Sequence, residues 1–309
     1  MSDQLTTAQV RQYHANIEMK LQQEGGVLKP FVRNESQSSE KQFYEQIGEV
    51  AAEAVTTRFA ESPQVNTPHD RRMVTISPYH VGDFIDNFEK VQTLIDPSNA
   101  YVQNFVRALG RERDRVVYQS MFGTAQTGKE GTTTETYSTV ASTSGGPVVK
   151  VDFGVANSGL TIAKLIEAKR AALALFWEPT EEMYLLYNAG GMSDLLNTTQ
   201  VTSSDFNTVK ALVRGEIDTF MGFKFIPWEG YLVAGTNVYR GTGDAAEVIE
   251  RFPVFQKSSI LHATGIEITT EVTRRSDRSF HWYAYAKAMF GATRMQANKV
   301  IEIQRYISG

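Results

Sequence analysis

One long helical pattern restricts this chain more than any other feature. Asp96-Pro97 supplies an N-cap residue followed by proline at the first helical position. From there Val102, Phe105, Val106, Leu109, Val116 and Val117 fall on or near one stripe as far as Phe122. At 1.5 Å per residue this predicts a rod about 39 Å long. Immediately after it, Gly123 to Pro147 turns to Thr, Ser and Gly, with too few large apolar residues to pack, which predicts a flexible insertion or loop.

Ahead of the rod the pattern is extended. Thr7 to Glu24 has loosely helical apolar spacing that Gly25-Gly26 stops. Lys29 to Lys41 reads as an extended connector, so the N-terminus is expected to be an appendage rather than core. Phe43 to Ala60 is divided: Phe43, Ile47, Val50 and Ala54 suit a helix, Val55-Thr56-Thr57 and Phe59 a strand, and local rules alone favour helix. A turn-rich tip from Glu61 to Asp70 leads into Met73 to Val81, which alternates like a half-exposed strand, so the pair predicts a long protruding hairpin.

Behind the rod the rhythm is α/β. Thr161 to Phe176 is an amphipathic helix, Met183 to Tyr187 a short buried strand, Ser193 to Asn197 and Asp205 to Gly215 short helices, and Phe220 to Pro227 a strand. From Ile260 the chain changes to long strands. Ile266, Ile268 and Val272 alternate, Arg274 to Ser279 turns, and Phe280, Trp282, Ala284, Ala286, Ala288 and Phe290 share one face before a last strand, Val300 to Ile307.

Composition removes whole classes of function. With no cysteine among 309 residues there are no disulfides, thiolate metal sites or cysteine nucleophiles. A net charge of -4, from 31 basic and 35 acidic residues, is not that of a dedicated nucleic-acid binder, so DNA contact is expected to be weak and non-specific. The longest apolar run, Ala171 to Trp177, falls far short of the roughly 20 residues a membrane helix needs, and Met1 to Val10 does not read as a secretory signal.

The motifs that suggest chemistry fail their own context tests. Gly123 to Glu130 spells G-x-x-x-x-G-K and then Glu130, where a phosphate loop needs Ser or Thr for magnesium, and a helix precedes it where a strand should. Gly241-Thr-Gly243 lies too near the C-terminal strands to open a full βαβ unit. His14, His69, His80, His262 and His281 are scattered, and no catalytic constellation, metal site or cofactor site emerges. Two charged features invite a functional reading. Arg107, Arg111 and Arg115 stand at i, i+4, i+8 on the rod, either a solvated face or a ridge that meets another subunit or DNA. Arg274, Arg275, Asp277 and Arg278 crowd a hairpin turn that is either merely soluble or reaches a neighbour.

An arm, a protruding hairpin, a long helix, an α/β unit and a return to long strands resemble the major capsid protein of tailed bacteriophages. The motifs agree: Asn66-Thr-Pro-His-Asp-Arg-Arg72 leading into Val74-Thr-Ile76, Phe84-Ile-Asp86, Leu94-Ile-Asp-Pro97 and Ala108-Leu-Gly-Arg111 look like the signature run of one branch. Ser204 to Leu212, Gly215-Glu-Ile-Asp218 and Gly222-Phe-Lys-Phe225 are similar too, so the likeness runs from about Phe43 to the C-terminus.

The resemblance implies an α+β tailed-phage capsid fold. Its parts would be an N-terminal arm (1–42), an extended β-hairpin loop (43–88), a peripheral domain (89–158) with a spine helix (96–122) and a Thr/Gly-rich insertion (123–147), an axial domain (159–261), and C-terminal strands returning to the peripheral domain (262–309). It implies a strand in Phe43 to Ala60 against the local helix preference. It also implies a structural, non-enzymatic role: a virion shell of hexamers and pentamers around double-stranded DNA, assembled in the host bacterial cytoplasm, with no cofactor and no membrane. Scaffolding, portal and decoration proteins are the implied partners besides further copies of the chain and weakly contacted DNA. Glu61, Arg71, Arg72, Arg107, Arg111, Arg115, Arg274, Arg275, Asp277 and Arg278 are the expected assembly contacts. Some relatives cross-link their shells through a lysine in the extended loop, but no lysine lies between Lys41 and Lys90, so that chemistry is closed to this chain. Asn188-Ala-Gly-Gly191 is looser than the family's usual axial helix start. An encapsulin-like compartment shell and a nucleotide-binding enzyme are the competing readings.

Overall fold

The computed structural model describes residues 25–56, 58, 62, 64–85, 98–197, 219–230 and 249–307. The predicted helices at Thr7 to Glu24 and Asp205 to Gly215, the Gly241 motif and the start of the rod at Asp96-Pro97 lie outside them. In chain order the elements are β1 Arg33–Ser36, β2 Lys41–Ile47, β3 His69–Thr75, β4 Ser77–Ile85, α1 Ser98–Phe122, β5 Ala125–Thr127, β6 Thr133–Glu135 and β7 Val148–Val149. They continue with α2 Ile162–Ala174, β8 Met183–Tyr187, α3 Ala189–Asn197, β9 Thr219–Phe220, β10 Phe223–Pro227, β11 Ile249–Gln256, β12 Ile260–Arg274, β13 Trp282–Arg294 and β14 Val300–Tyr306.

The chain divides into two compact units. The larger comprises Val27–Ser77, Arg113–Gly265 and Phe290–Gly309. Its centre is a six-stranded sheet of order β7-β14-β11-β8-β10-β9. The apolar run of β8 is buried at Tyr184, Leu185 and Leu186 because the strand lies between β10, which is parallel to it, and β11, which is antiparallel. β11 is held on its other edge by β14 through a register from Ile249↔Tyr306 to Phe255↔Val300. Met221 and Gly222 both have positive φ between β9 and β10, as a mirror-image hairpin turn requires.

Helix α2 packs on this sheet with Leu165, Ala168, Ala171 and Ala172 turned inward. Its first turn is closed by the Thr161 side chain, which accepts from the Lys164 amide. α3 starts on Asn188, whose Oδ1 accepts from Gly191 N at 2.8 Å while its Nδ2 donates to Glu250 at 2.9 Å. The two glycines that follow are a packing requirement. A Cβ on Gly190 would come within 2.8 Å of the Arg305 guanidinium, and one on Gly191 within 2.8 Å of the Phe252 ring. The glycine-rich start of α3 is thus the shape needed to let Arg305 reach Asp194 at 2.5 Å and Glu250 at 2.8 Å.

Two expectations are corrected in this unit. Leu28 and Val32 are wholly buried in the main core with Val117, Met121, Leu160 and Ile303, so the end of the arm is not an appendage. Residues 33–36 then pair in parallel with β12, from Arg33↔Leu261 to Ser36↔Thr264. The second correction concerns Gly123 to Pro147, which is not a flexible insertion. β5 and β6 extend the β2-β3 hairpin into a four-stranded sheet, and Tyr137, buried, donates its hydroxyl to Val300 O at 3.1 Å. Two strand pairings and one aromatic anchor do what bulk hydrophobicity does elsewhere. In Phe43 to Ala60 strand displaces the local helix preference, but only as far as Ile47. The described residues beyond it, up to Thr56, have no regular structure.

The smaller unit comprises Met1–Gly26, Pro78–Glu112 and Ile266–Met289. Here β4, β13 and β12 are neighbours in that order. Along β13 the small residues Ala284, Ala286 and Ala288 are buried while Tyr283, Tyr285 and Lys287 alternate with them as half-buried. Phe280 departs from the predicted shared face: it is exposed and belongs to the turn. Gly25 crosses α1 at Gly110, so closely that a Cβ on Gly25 would lie 2.0 Å from the Arg111 nitrogen. Gly26 N donates to Gly110 O at 3.2 Å there. A glycine inside a helix costs about 1 kcal/mol relative to alanine, and this crossing is what it permits.

Candidate assembly surfaces

The predicted site residues of the β2-β3 hairpin separate by strand parity. Neighbouring residues on β3 point to opposite faces, so Arg71 and Arg72 have different fates. Arg71 lies outward. It pairs with Glu45 on the facing strand, donates to Lys129 O at 3.2 Å and sits 5.3 Å over the Phe43 ring. Beside it, the Thr127 hydroxyl and then the Arg71 amide, both donating to Asp70, hold that carboxyl below its ordinary pKa against the opposing effect of burial. Arg72 lies inward, 4% exposed, ion-paired to Glu135 and donating to Met295 O at 2.9 Å. Its guanidinium is therefore committed within the subunit, and Arg72 does not stand as an assembly contact.

Arg294, wholly buried, completes this root. It donates to Met121 O at 2.8 Å and Gly123 O at 2.9 Å, the carbonyls at the end of α1, and lies 5.2 Å over Tyr137. A cation at a helix C-terminus is favoured by the dipole, which helps two buried arginines coexist with the single carboxylate of Glu135. Above the clamped root the loop opens after a last bond, Gly48 N to Pro68 O at 2.8 Å. Ile47, Val50, Val55 and Val65 stand exposed along it, Val55 by 82%. Glu61 lies outside the described residues.

On α1, Arg107, Arg111 and Arg115 are all half-buried, and Arg115 donates to Gln119 Oε1 at 3.4 Å. The residue that decides the local geometry is the one between, which the charge pattern did not single out. Asp114 is 1% exposed, and its two oxygens accept from Val27 N at 3.1 Å and Leu28 N at 3.0 Å. A buried carboxylate thus grips two successive amides of the arm. Nothing in a sequence marks it, since an aspartate on a helix usually reads as solvated surface.

The turn between β12 and β13 is built from exposed charge. Arg275 is bidentate to Asp277, Nε to Oδ1 at 2.9 Å and Nη2 to Oδ2 at 3.0 Å, a pairing that lowers the Asp277 pKa. Arg274 lies 5.0 Å over the Trp282 ring. The tip residues Ser279 and Phe280 have φ of 49° and 58°, a left-handed conformation that bulky residues seldom adopt. His281 N donates to Arg278 O at 3.0 Å across them. Phe280 is 61% exposed at that apex.

The G-x-x-x-x-G-K stretch is the end of α1 followed by β5 and the turn into β6, with Gly128 and Gly131 at positive φ. No helix follows to cradle a phosphate, and Gly123 O is held by Arg294. Among the described residues no group of three or more His, Asp or Glu is placed to hold a metal, and no helix is long and apolar enough to cross a membrane.

A family model described as phage capsid protein matches residues 5–306. The chain belongs to the phage capsid protein family. The capsid protein has the fold of solved phage shells. It superposes on the cyanophage Pam1 capsid with a TM-score of 0.69 at 13% identity, covering 98% of each chain. For the capsid of cyanophage P-SCSP1u the values are 0.68 and 14%, covering 97% of this chain and 94% of that one. For the capsid of Helicobacter pylori bacteriophage KHP30 they are 0.67 and 10%, covering 96% and 95%. No curated protein is similar to it in sequence. The capsid protein is a structural shell component of a virion, and the compartment-shell alternative is not favoured.

Proposed function

We propose that many copies of this capsid protein assemble as hexamers and pentamers into an icosahedral shell around double-stranded DNA in the host cytoplasm. The reading is that of a scaffold of contacts rather than an enzyme. One observation carries it: a hairpin whose root is clamped by buried Arg72 and Arg294, while its open end carries Ile47, Val50, Val55 and Val65 into solvent. A lone chain gains nothing by fixing an apolar loop away from its own core, whereas a neighbour that covers it recovers about 25 cal/mol for each Å² buried.

In this reading residues 43–88 form the extended loop, 89–158 the peripheral domain, 159–261 the axial domain, and 262–309 return to the peripheral domain. Glu61 and Arg71 on the loop, Arg107, Arg111 and Arg115 on the spine, and the Arg274, Arg275, Asp277 and Arg278 turn make contacts between copies. Packaged DNA meets the shell weakly and without sequence preference, and portal, scaffolding and decoration proteins complete the particle. The test is electron microscopy with light scattering on the chain expressed alone and with candidate scaffolds. A variant in which an Asn-Gly turn replaces residues 49–67 is expected to fold and stay soluble but to form no shells. Normal particles from it would reject the loop assignment.

A further inference from the structure

The sheet of the smaller unit leaves one long edge open. β1 covers the outer side of β12 only as far as Ser36↔Thr264, so residues 265–274 have no neighbouring strand on that side among the described residues. Strand parity decides which groups this exposes. Gln37 N donates to Thr264 O at 2.9 Å on the β1 side, and Arg275 N donates to His281 O at 3.0 Å on the β13 side. Main-chain groups of successive residues point to opposite edges of a strand. Ile266, Ile268, Thr270, Val272 and Arg274 therefore aim their N–H and C=O outward.

Natural edges are blunted by proline, lysine, a bulge or brevity. The other edge of the same sheet follows that rule, since β4 carries Pro78, Gly82 and Asp83. Residues 266–274 do not. They contain no proline, lysine or glycine, and six of the nine are β-branched. They span about 30 Å, with Ile266 and Val272 44% and 38% exposed. Such a segment is a template for another strand.

We infer that β12 pairs edge to edge and antiparallel with β12 of a second copy, across a two-fold axis through Thr270. The inference rests on the shell reading and names a contact within it: a closed icosahedral shell relates copies by two-fold axes, where a surface must complement itself. Self-complementarity selects the register. Outward residues must face outward residues, which leaves the axis on Thr269, Thr270 or Glu271, because shifts beyond these run into β1 or off the end of the strand. On Thr269 the axis would set Glu267 against Glu271 twice, and on Glu271 it would set that carboxylate against itself. Like charges directly opposite destabilise a strand pair, and the exposed Lys287, 3.5 Å from Glu271, relieves this only slightly. With the axis on Thr270 each glutamate faces a threonine, Glu271 opposite Thr269 and Glu267 opposite Thr273, and Ile268 lies opposite Val272 on both sides. The five outward residues of each copy then exchange about ten main-chain hydrogen bonds. The second copy's turn begins opposite Gly265, just past the end of β1, so the two do not compete.

The test separates this contact from the shell reading. The chain has no cysteine of its own. In Thr270→Cys two thiols meet on the axis at the roughly 5.5 Å Cα separation of a hydrogen-bonded pair, which a disulfide spans. As the S–S bond forms, oxidised glutathione takes up the two electrons and two protons and leaves as two thiols. In particles and in the concentrated unassembled chain, T270C should give roughly tenfold more covalent dimer than T269C, whose thiol faces residue 271 instead. Thr270→Pro removes an outward N–H that the lone subunit does not use. The unassembled chain should then melt close to the parent while particle yield falls roughly tenfold or more. Thr269→Glu, which faces Glu271, should also lower yield, whereas Thr269→Lys should hold it at the parent level or above. Parent-like yield from T270P, equal losses from T269E and T269K, or particles in which T270C links no better than T269C would overturn the contact and leave the shell reading standing. Dimers of T270C from a chain that forms no shell with any scaffold would keep the contact and remove the shell reading.

Discussion

Replacing Asp114 tests whether one side chain fixes the path of the arm. Its carboxylate is the acceptor for two consecutive backbone amides, Val27 and Leu28, and Leu28 is wholly buried. Asp114→Ala leaves two N–H groups without that acceptor, at about 1–3 kcal/mol each, so the variant should lose about 2–6 kcal/mol. Asp114→Asn keeps one acceptor oxygen and should lose about half as much. The arm should not detach altogether. Leu28 and Val32 remain in the core, each contributing about 1.5–3 kcal/mol of burial, so the loss appears as local opening. Hydrogen exchange of the Val27 and Leu28 amides in the unassembled chain should accelerate by roughly 30-fold or more, with a lower urea midpoint. If these amides exchange as slowly in D114A as in the parent, the carboxylate does not hold the arm and the reasoning fails.

Burial lowers the pKa of the Lys164 ammonium from 10.5 to about 8, although Asp194 and Asp152 oppose that shift. The folded chain then binds this proton less tightly than the unfolded chain. The penalty is complete below about pH 8 and disappears as the pH rises toward 10.5, so stability should rise across that window by about 1–2 kcal/mol after allowance for solvent screening. Urea melts should show the rise in the parent and lose it in Lys164→Met, and parallel curves for the two would refute it. Gly191→Ala places a methyl 2.8 Å from the wholly buried Phe252 ring and should lose about 1–3 kcal/mol in a thermal melt, despite the better helix propensity of alanine. Gly190→Ala meets the Arg305 guanidinium at 2.8 Å and, by pushing it off Asp194 and Glu250, should also lower the midpoint of the same melt.

Periodicity made much of this fold legible. Phe105, Leu109 and Val117 of α1, Ile162 and Leu165 of α2 and the Ala284-Ala286-Ala288 face each repeat at a period that one buried side dictates, whereas Val106, Ile166 and Leu173, apolar at similar spacing, stand exposed. Strand β11 escaped because Pro253 interrupts it and Glu250 and Arg251 look like surface. Arg251 is instead paired with Glu302 at 2.5 Å and lies 4.1 Å over Phe122, so its charge is satisfied inside. Residues 123–147 were misread because composition measures apolar area and cannot register strand pairing with a distant hairpin. Among the candidate contacts, the arginines of the hairpin turn are as exposed as their pattern suggested. Arg71 and Arg72 could not be told apart until the register of β3 fixed which faced inward. Phe280 carried no signal at all, since a left-handed backbone at phenylalanine is a property of coordinates.

The strand order of the central sheet also bears on how the protein is made. β14 lies between β7 and β11, so the sheet has no continuous middle until residues 300–306 have been synthesised. At a translation rate of about 5–20 residues per second, β11 waits roughly 2–9 s on the ribosome for its neighbour. During that interval Phe252, Val254 and Phe255 have an open edge and no cover from β14. A nascent subunit therefore cannot complete its central sheet before almost its whole length has emerged. The same delay makes it a natural client of chaperones that shield unpaired strands.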